Sequence, residues 1–180
     1  MSVSISRLVP ILCPLFVVLV RAAVCQGRPV SPSRGAYADS CLAPSEFQLG
    51  GAAIDADAEG VVERLGKALR VRRTSGEDDG GRYERLTYYY RPLELDVVRG
   101  MLSRIATHVP STATPSGLHP GLERDSVRRI LLSSGVTFKA DADELLIEEC
   151  SSGGVAGHLM VLTFDRKGRV LGISMSGDTE

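Results

Sequence analysis

The sequence predicts an α+β tandem repeat in which each half is a helix followed by a small antiparallel sheet. Three observations predict it. Two apolar stripes at helical spacing stand about 65 residues apart, at Val61–Leu69 and at Val127–Leu131. After each stripe come short alternating segments punctuated by turn residues. Between the halves lies a Pro-, Ser-, Thr- and Gly-rich connector, 109–121. Individual residues also align. A shift of 65 places Val62, Arg64 and Leu65 on Val127, Arg129 and Ile130. A shift of 68 places Gly100, Leu102 and Ile105 on Gly168, Val170 and Ile173.

The first 25 residues read as an address. Arg7 is the one charge before an apolar run, Leu8–Val20, and small residues Ala22 and Ala23 follow Arg21. Thirteen residues are short of the ~20 a spanning helix needs, so a secretory signal is expected over 1–25. Cleavage falls before Gln26 or before Ala23. An alternative leaves Cys25 lipidated as the new terminus, although Ala22 and Val24 fit the lipid-attachment pattern poorly. Residues 26–46, rich in Pro, Ser, Gly and Arg, read as a flexible leader.

The first repeat is expected over 47–108. Asp55, Asp57 and Glu59 suit a helix start, where carboxylates meet unpaired N–H groups. Val61, Val62, Leu65 and Leu69 form the apolar stripe. Leu69–Arg73 is a short strand candidate and Thr74–Arg82 a solvated loop. Strands follow over Tyr83–Tyr90, Leu93–Val98 and Met101–Thr107, the last two joined by a tight Arg99-Gly100 turn. The second repeat is expected over 122–180. Asp125 is read as the cap of a helix carrying Val127, Ile130 and Leu131 and ending at Gly135. Val136–Lys139, Leu145–Cys150, Gly157–Phe164 and Arg169–Ser176 are strand candidates, the last pair turning through Asp165-Arg-Lys-Gly168.

Composition narrows the function classes. Of 180 residues, 21 are Lys or Arg and 22 are Asp or Glu. So balanced a chain offers phosphates no net positive field, and no nucleic-acid partner is expected. Hydrophobic residues at 43% and charged ones at 24% describe a globular chain. Cys41 and Cys150 are the cysteines beyond the expected signal, an even pair in an oxidising compartment, and a disulfide between them is expected. It closes a loop of over a hundred residues, worth roughly 4–5 kcal/mol in the chain-entropy model. No metal is expected, because His108, His119 and His158 form no ligand cluster. The Asp55-Ala-Asp57-Ala-Glu59 run lacks the twelfth-position Glu of a calcium loop, since Gly66 stands there. No cofactor motif and no catalytic residue is assigned. Ser116, His119 and Asp125 are drawn only as the kind of set a hydrolase needs.

One surface stands out. In the strand near residues 82–91, Glu84, Leu86, Tyr88 and Tyr90 share a face that includes the apolar positions. Tyr83, Arg85, Tyr89 and Arg91 then point outward with Thr87, residue types enriched in binding hot spots. An ordinary half-exposed sheet face accounts for the same stripe.

The approach Gly117-Leu-His-Pro-Gly121 through Val127 resembles that of the SmpA/OmlA-like and beta-lactamase-inhibitor-like (BLIP-like) proteins. That resemblance implies repeated helix-plus-sheet units, export, often as lipoproteins of the bacterial envelope, and binding to a protein partner without catalysis. The inhibitor proteins carry a disulfide within each repeat, whereas Cys41 and Cys150 supply one at most. The expected function is therefore an exported, periplasmic or secreted, non-enzymatic protein-binding module acting through a sheet face. An envelope lipoprotein with a scaffolding role, membrane-bound only through Cys25, is one alternative. A small secreted hydrolase is another.

Overall fold

The computed structural model describes residues 36–38, 40–78, 80–138, 143–150 and 157–177. The expected signal and Cys25 lie outside the described residues. So do Lys139 and Asp141.

Strand β1 (Ala36–Tyr37) and a short 3-10 turn at Pro44–Glu46 precede a small hairpin. Its strands, β2 (Gln48–Leu49) and β3 (Ala52–Ala53), are joined by Gly50 and Gly51, both at positive φ. That reversal suits glycine, which carries no Cβ to clash there. Asp57 then caps α1 (Ala58–Leu65), accepting the Gly60 N–H at 3.2 Å. Gly66 ends the helix at φ 75°. Leu69, expected on the helical stripe, lies beyond it and is 71% exposed.

β4 (Arg70–Asp78) and β5 (Gly81–Tyr89) form a long hairpin. Here the expected solvated loop at Thr74–Arg82 is corrected: most of it is strand. Pairing is unbroken from Arg70↔Tyr89 to Asp78↔Gly81. The Tyr83 ring lies over its cross-strand partner Gly76 so closely that a Cβ there would sit 2.4 Å from Cζ. Aromatic cover of a strand glycine replaces the packing a side chain would supply.

β6 (Glu94–Val98) and β7 (Met101–Thr107) pair across Arg99 and Gly100, both at positive φ (51° and 82°). These are the dihedrals a two-residue hairpin needs. α2 (Arg124–Ser133) is capped by Glu123, not Asp125, and Glu123 makes no side-chain cap bond. Asp125 sits in the first turn, 3.8 Å from Arg128. The end of the helix near Gly135, at φ 78°, is as expected. Val136 and Phe138 form no strand and instead insert into the core. β8 (Glu144–Glu148), β9 (His158–Phe164) and β10 (Val170–Gly177) complete the chain.

The strands do not form two small sheets, each with its own helix. They form one eight-stranded sheet in the order β1-β8-β9-β10-β7-β6-β5-β4, antiparallel except for the parallel β1–β8 edge. The fold is mostly sheet, with two short helices among the described residues. That corrects the expected tandem helix-plus-sheet architecture. The physical reason lies at the β7–β10 ladder, from Ile173↔Thr107 to Ser176↔Arg104. Two separate meanders would leave β7 and β10 as apolar edges. Their pairing removes both edges and merges two small cores into one.

One face of the sheet carries that core. Ile147, Met160, Met175, Ile105, Leu95 and Tyr88 run across it in register. Ala58 and Val61 of α1 and Val127 and Leu131 of α2 belong to the same buried cluster. Both helices therefore cover the same side. The lead-in to each helix is tied to a strand start, at Asp57↔Met101 and at Glu123↔Arg169.

The two edges differ. Residues 36–38 and 40–42, read in the sequence as leader, lie along β8: Ala38 N–H donates to Leu146 O and Cys150 N–H to Leu42 O. Cys41 and Cys150 are disulfide-bonded, with Cα atoms 4.9 Å apart. The bond pins this segment over the β8 edge. β4 forms the opposite edge.

The β9–β10 turn carries a titration signature. The Asp165 carboxylate accepts the backbone N–H groups of Arg169 and Lys167, both at 2.8 Å. Those bonds, the Arg169 one first, hold its carboxyl below the usual Asp range. A lowered folded-state value means the contribution to stability is present above the ordinary pKa of 3.8 and fades as pH falls through the lower folded value. The NMR carboxyl titration of Asp165 should have its midpoint below 3.8. A midpoint at or above that value would show the turn is not held this way.

Candidate functional site

The face opposite the helices carries a different set of side chains. Alternation places Tyr83, Arg85, Thr87 and Tyr89 of β5 there. The register continues from Thr87 to Asp96, Arg104 and Ser176, and from Tyr89 to Glu94, Ala106 and Ser174. No described helix contributes to this face.

Its centre is Arg104 on β7. Arg104 Nη1 lies 2.6 Å from Glu94 Oε1 and 3.6 Å from Asp96 Oδ2, and Nε donates to Ser174 Oγ at 3.2 Å. One guanidinium thus bridges β6 to β10. A planar, multiply donating cation suits that role better than a point charge. Beside it, Thr87 and Asp96 are directly opposed and only 1% and 7% exposed. Thr87 Oγ1, Asp96 Oδ1 and the neighbouring Arg85 Nε are buried without a hydrogen-bond partner. Orphaned buried polar atoms each cost ~1–3 kcal/mol, and clusters of them are uncommon.

The expected stripe is therefore placed in part. Tyr83, Arg85 and Tyr89 share the open face. Tyr83 has the guanidinium groups of Arg85 and Arg99 each 5.8 Å from its ring centre, and Arg70 lies 5.6 Å from that of Tyr89. Arg91 does not extend the stripe. It sits in the Tyr90–Leu93 turn, closed by Tyr90 N–H to Leu93 O, where strand alternation has ended. Leu86, Tyr88 and Tyr90 pack against the core, and burial pushes the Tyr90 phenol up, with Tyr88 adding to it. Toward β8 and β9 the face becomes apolar, with half-buried Leu146, Leu159 and Val161.

Two groupings lie elsewhere. On the helix side, a cleft of about 820 Å³ opens between the start of α1 and β5, lined by Glu59, Val62, Arg82, Leu86 and Tyr88. At the start of β9, His158 Nε2 meets Asp55 Oδ2 at 2.7 Å while its Nδ1 lies against Glu149 Oε2. Asp55 adopts φ 60° to reach it. This cluster ties three distant segments together and was not visible in the sequence. Its only local signal is an aspartate outside a cap position. Asp57, the other acid of the apparent calcium run, is the helix cap.

The drawn Ser116, His119 and Asp125 set is not assembled. Ser116 Oγ pairs with Thr114 Oγ1, His119 Nδ1 with the Pro120 carbonyl, and Asp125 with Arg128. Among the described residues no group of three His, Cys, Asp or Glu forms a metal site.

No family model matches the chain, and no curated protein matches it. Two solved structures resemble it. One is an extracellular protein containing an SCP domain from Bacillus anthracis str. Ames, at 15% identity and TM-score 0.46, covering 69% of this chain and 44% of that one. The other is a cysteine-rich secretory protein from Staphylococcus aureus subsp. aureus Mu50, at 13% identity and TM-score 0.49, covering 81% of this chain and 51% of that one. The chain thus spans about half the length of either. At these values the likeness carries no functional argument. The expected kinship with SmpA/OmlA-like and BLIP-like proteins is corrected: one eight-stranded sheet stands in place of the helix-plus-sheet repeat, and the similar structures are an SCP-domain protein and a cysteine-rich secretory protein.

The Arg104 bridge is open to measurement. A double-mutant cycle of Arg104→Met and Glu94→Gln, read by urea unfolding, should give a coupling of about 0.5–1 kcal/mol, the range for a half-exposed pair. A coupling near zero would mean that the bridge does not organise this face.

Proposed function

We propose that this protein is an exported, non-enzymatic binding module that takes a protein partner on its open sheet face. The observation that carries the reading is the stripe of partly exposed Tyr83, Arg85 and Tyr89 on that one face. Aromatic rings supply area at small rotamer cost, and arginine supplies directional donors. The apolar Leu146, Leu159 and Val161 end adds area that a partner desolvates.

Export is supported by two independent features. One is the leader at 1–25; the other is a disulfide that persists only outside a reducing cytosol. The same face serves an envelope lipoprotein if Cys25 is retained and acylated. Mass spectrometry of the mature N-terminus separates the two forms: an unmodified Gln26 terminus means soluble export, a lipid-modified Cys25 means anchorage.

Photo-crosslinking groups placed at Tyr89 and, as a control on the helix side, at Leu132 test the face. The Tyr89 position should capture a partner that the Leu132 position does not. With that partner purified, Tyr89→Ala and Arg85→Ala should each weaken binding about 30-fold or more, the scale of a hot spot. Capture only from Leu132, or binding unchanged by both substitutions, would move the function off this face.

A further inference from the structure

We propose that the β4 edge pairs antiparallel with the β4 edge of a second copy of this chain, continuing the sheet across a two-fold axis. This rests on the edge alone and is independent of the open-face reading.

The two ends of the sheet are treated differently. The β8 end is covered by β1 and the Leu42↔Glu149 bridge and locked by the Cys41–Cys150 disulfide. The β4 end has no strand beyond it among the described residues. β4 runs nine residues, and its pairing with β5 contains no register shift. It holds no proline. The usual devices that blunt an edge, namely shortness, proline or a bulge, are therefore missing, and a regular row of backbone groups faces outward. What remains on this edge is charge.

That charge is segregated. Arg70, Arg72 and Arg73 occupy the first half of the strand, and Glu77 and Asp78 the end. A parallel second copy sets like charges side by side. An antiparallel copy does the reverse. With Ser75 opposite itself, Arg73 faces Glu77 of the second copy and Arg72 faces Asp78, and symmetry supplies each pair twice. Arg72, Arg73 and Glu77 are all exposed. Arg73 already lies 2.9 Å from Glu84 of its own chain, with both side chains largely in solvent, so it can serve both carboxylates. Next to this register Leu69 and Val71 are 71% and 51% exposed. Pairing brings the second copy's backbone toward them. It also sets two open faces side by side on one sheet.

A charge-swap experiment tests this. Variant one carries Glu77→Arg and Asp78→Arg, making its edge wholly basic. Variant two carries Arg72→Glu and Arg73→Glu, making the paired stretch 72–78 of its edge acidic. Sedimentation of the unaltered protein should show a dimer. Each variant alone should dissociate, with a dimer dissociation constant raised about 30-fold or more. Mixing the two should restore a one-to-one dimer. An independent readout is Ser75→Cys, which should form a covalent dimer on mild oxidation, while Ser133→Cys on α2 should not. A protein that stays monomeric, variants that still self-associate, a mixture that fails to pair, or no crosslink through position 75 would each overturn the proposal. Crosslinking at Tyr89 as described above is unaffected by these changes if only the edge pairing is wrong.

Discussion

The structure depends on the ladder between β7 and β10. Neither strand is adjacent in sequence to the other, and the paired positions Ala106 and Ser174 are 68 residues apart. Without that ladder the chain holds two narrow meanders, each with an apolar edge. Small sheets of this kind have little independent stability. With it, Ile105 meets Met175 across the join and a single core runs from β8 to β5. The guanidinium of Arg104 spans the same join on the opposite face, linking Glu94 of β6 to Ser174 of β10. The candidate binding face is continuous only because the strands beneath it are.

The disulfide acts at a distance from this join and does a different job. In chain-entropy terms it restrains the unfolded chain over a separation of 109 residues. In the folded state it holds β1 and the Leu42↔Glu149 bridge against β8. One sheet edge is thereby closed covalently. His158, held between Asp55 and Glu149, fixes the neighbouring end of β9 to the turn before α1. The result is a sheet whose β8 end is tied down several times, while its β4 end is held, among the described residues, by the β5 hairpin. Tyr83, Arg85 and Tyr89 stand toward the less restrained end.

Local chemistry was legible in the residues and long-range pairing was not. Arg99-Gly100 and Asp165–Gly168 read directly as turns because few residue pairs satisfy those dihedrals and side-chain bonds. The helices were legible from apolar spacing. Even so, Leu69 was counted on a stripe that Gly66 had already ended, and Asp125 was read as a cap that Glu123 provides. The segment Thr74–Arg82 was read as loop because it carries no apolar alternation; β5 templates it through Tyr83 on Gly76, a contact between residues invisible to periodicity. The union of two sheets was not legible, because nothing in a local window says which strand edges meet. Of the site, Tyr83, Arg85 and Tyr89 followed from alternation. Arg91 failed because the strand stops before it. The Arg104 bridge was missed, although one arginine inside Met101–Thr107, an otherwise apolar strand, was the available signal.

The central claim is that β7 and β10 are neighbours in one sheet. Cross-strand nuclear Overhauser contacts in the folded protein test it most directly. Contacts between Ala106 and Ser174, and between Ile105 and Met175, are the result expected from the register. A spectrum with full sets of contacts within β4–β7 and within β8–β10, but none between Ala106 and Ser174, would describe two independent sheets and contradict the account.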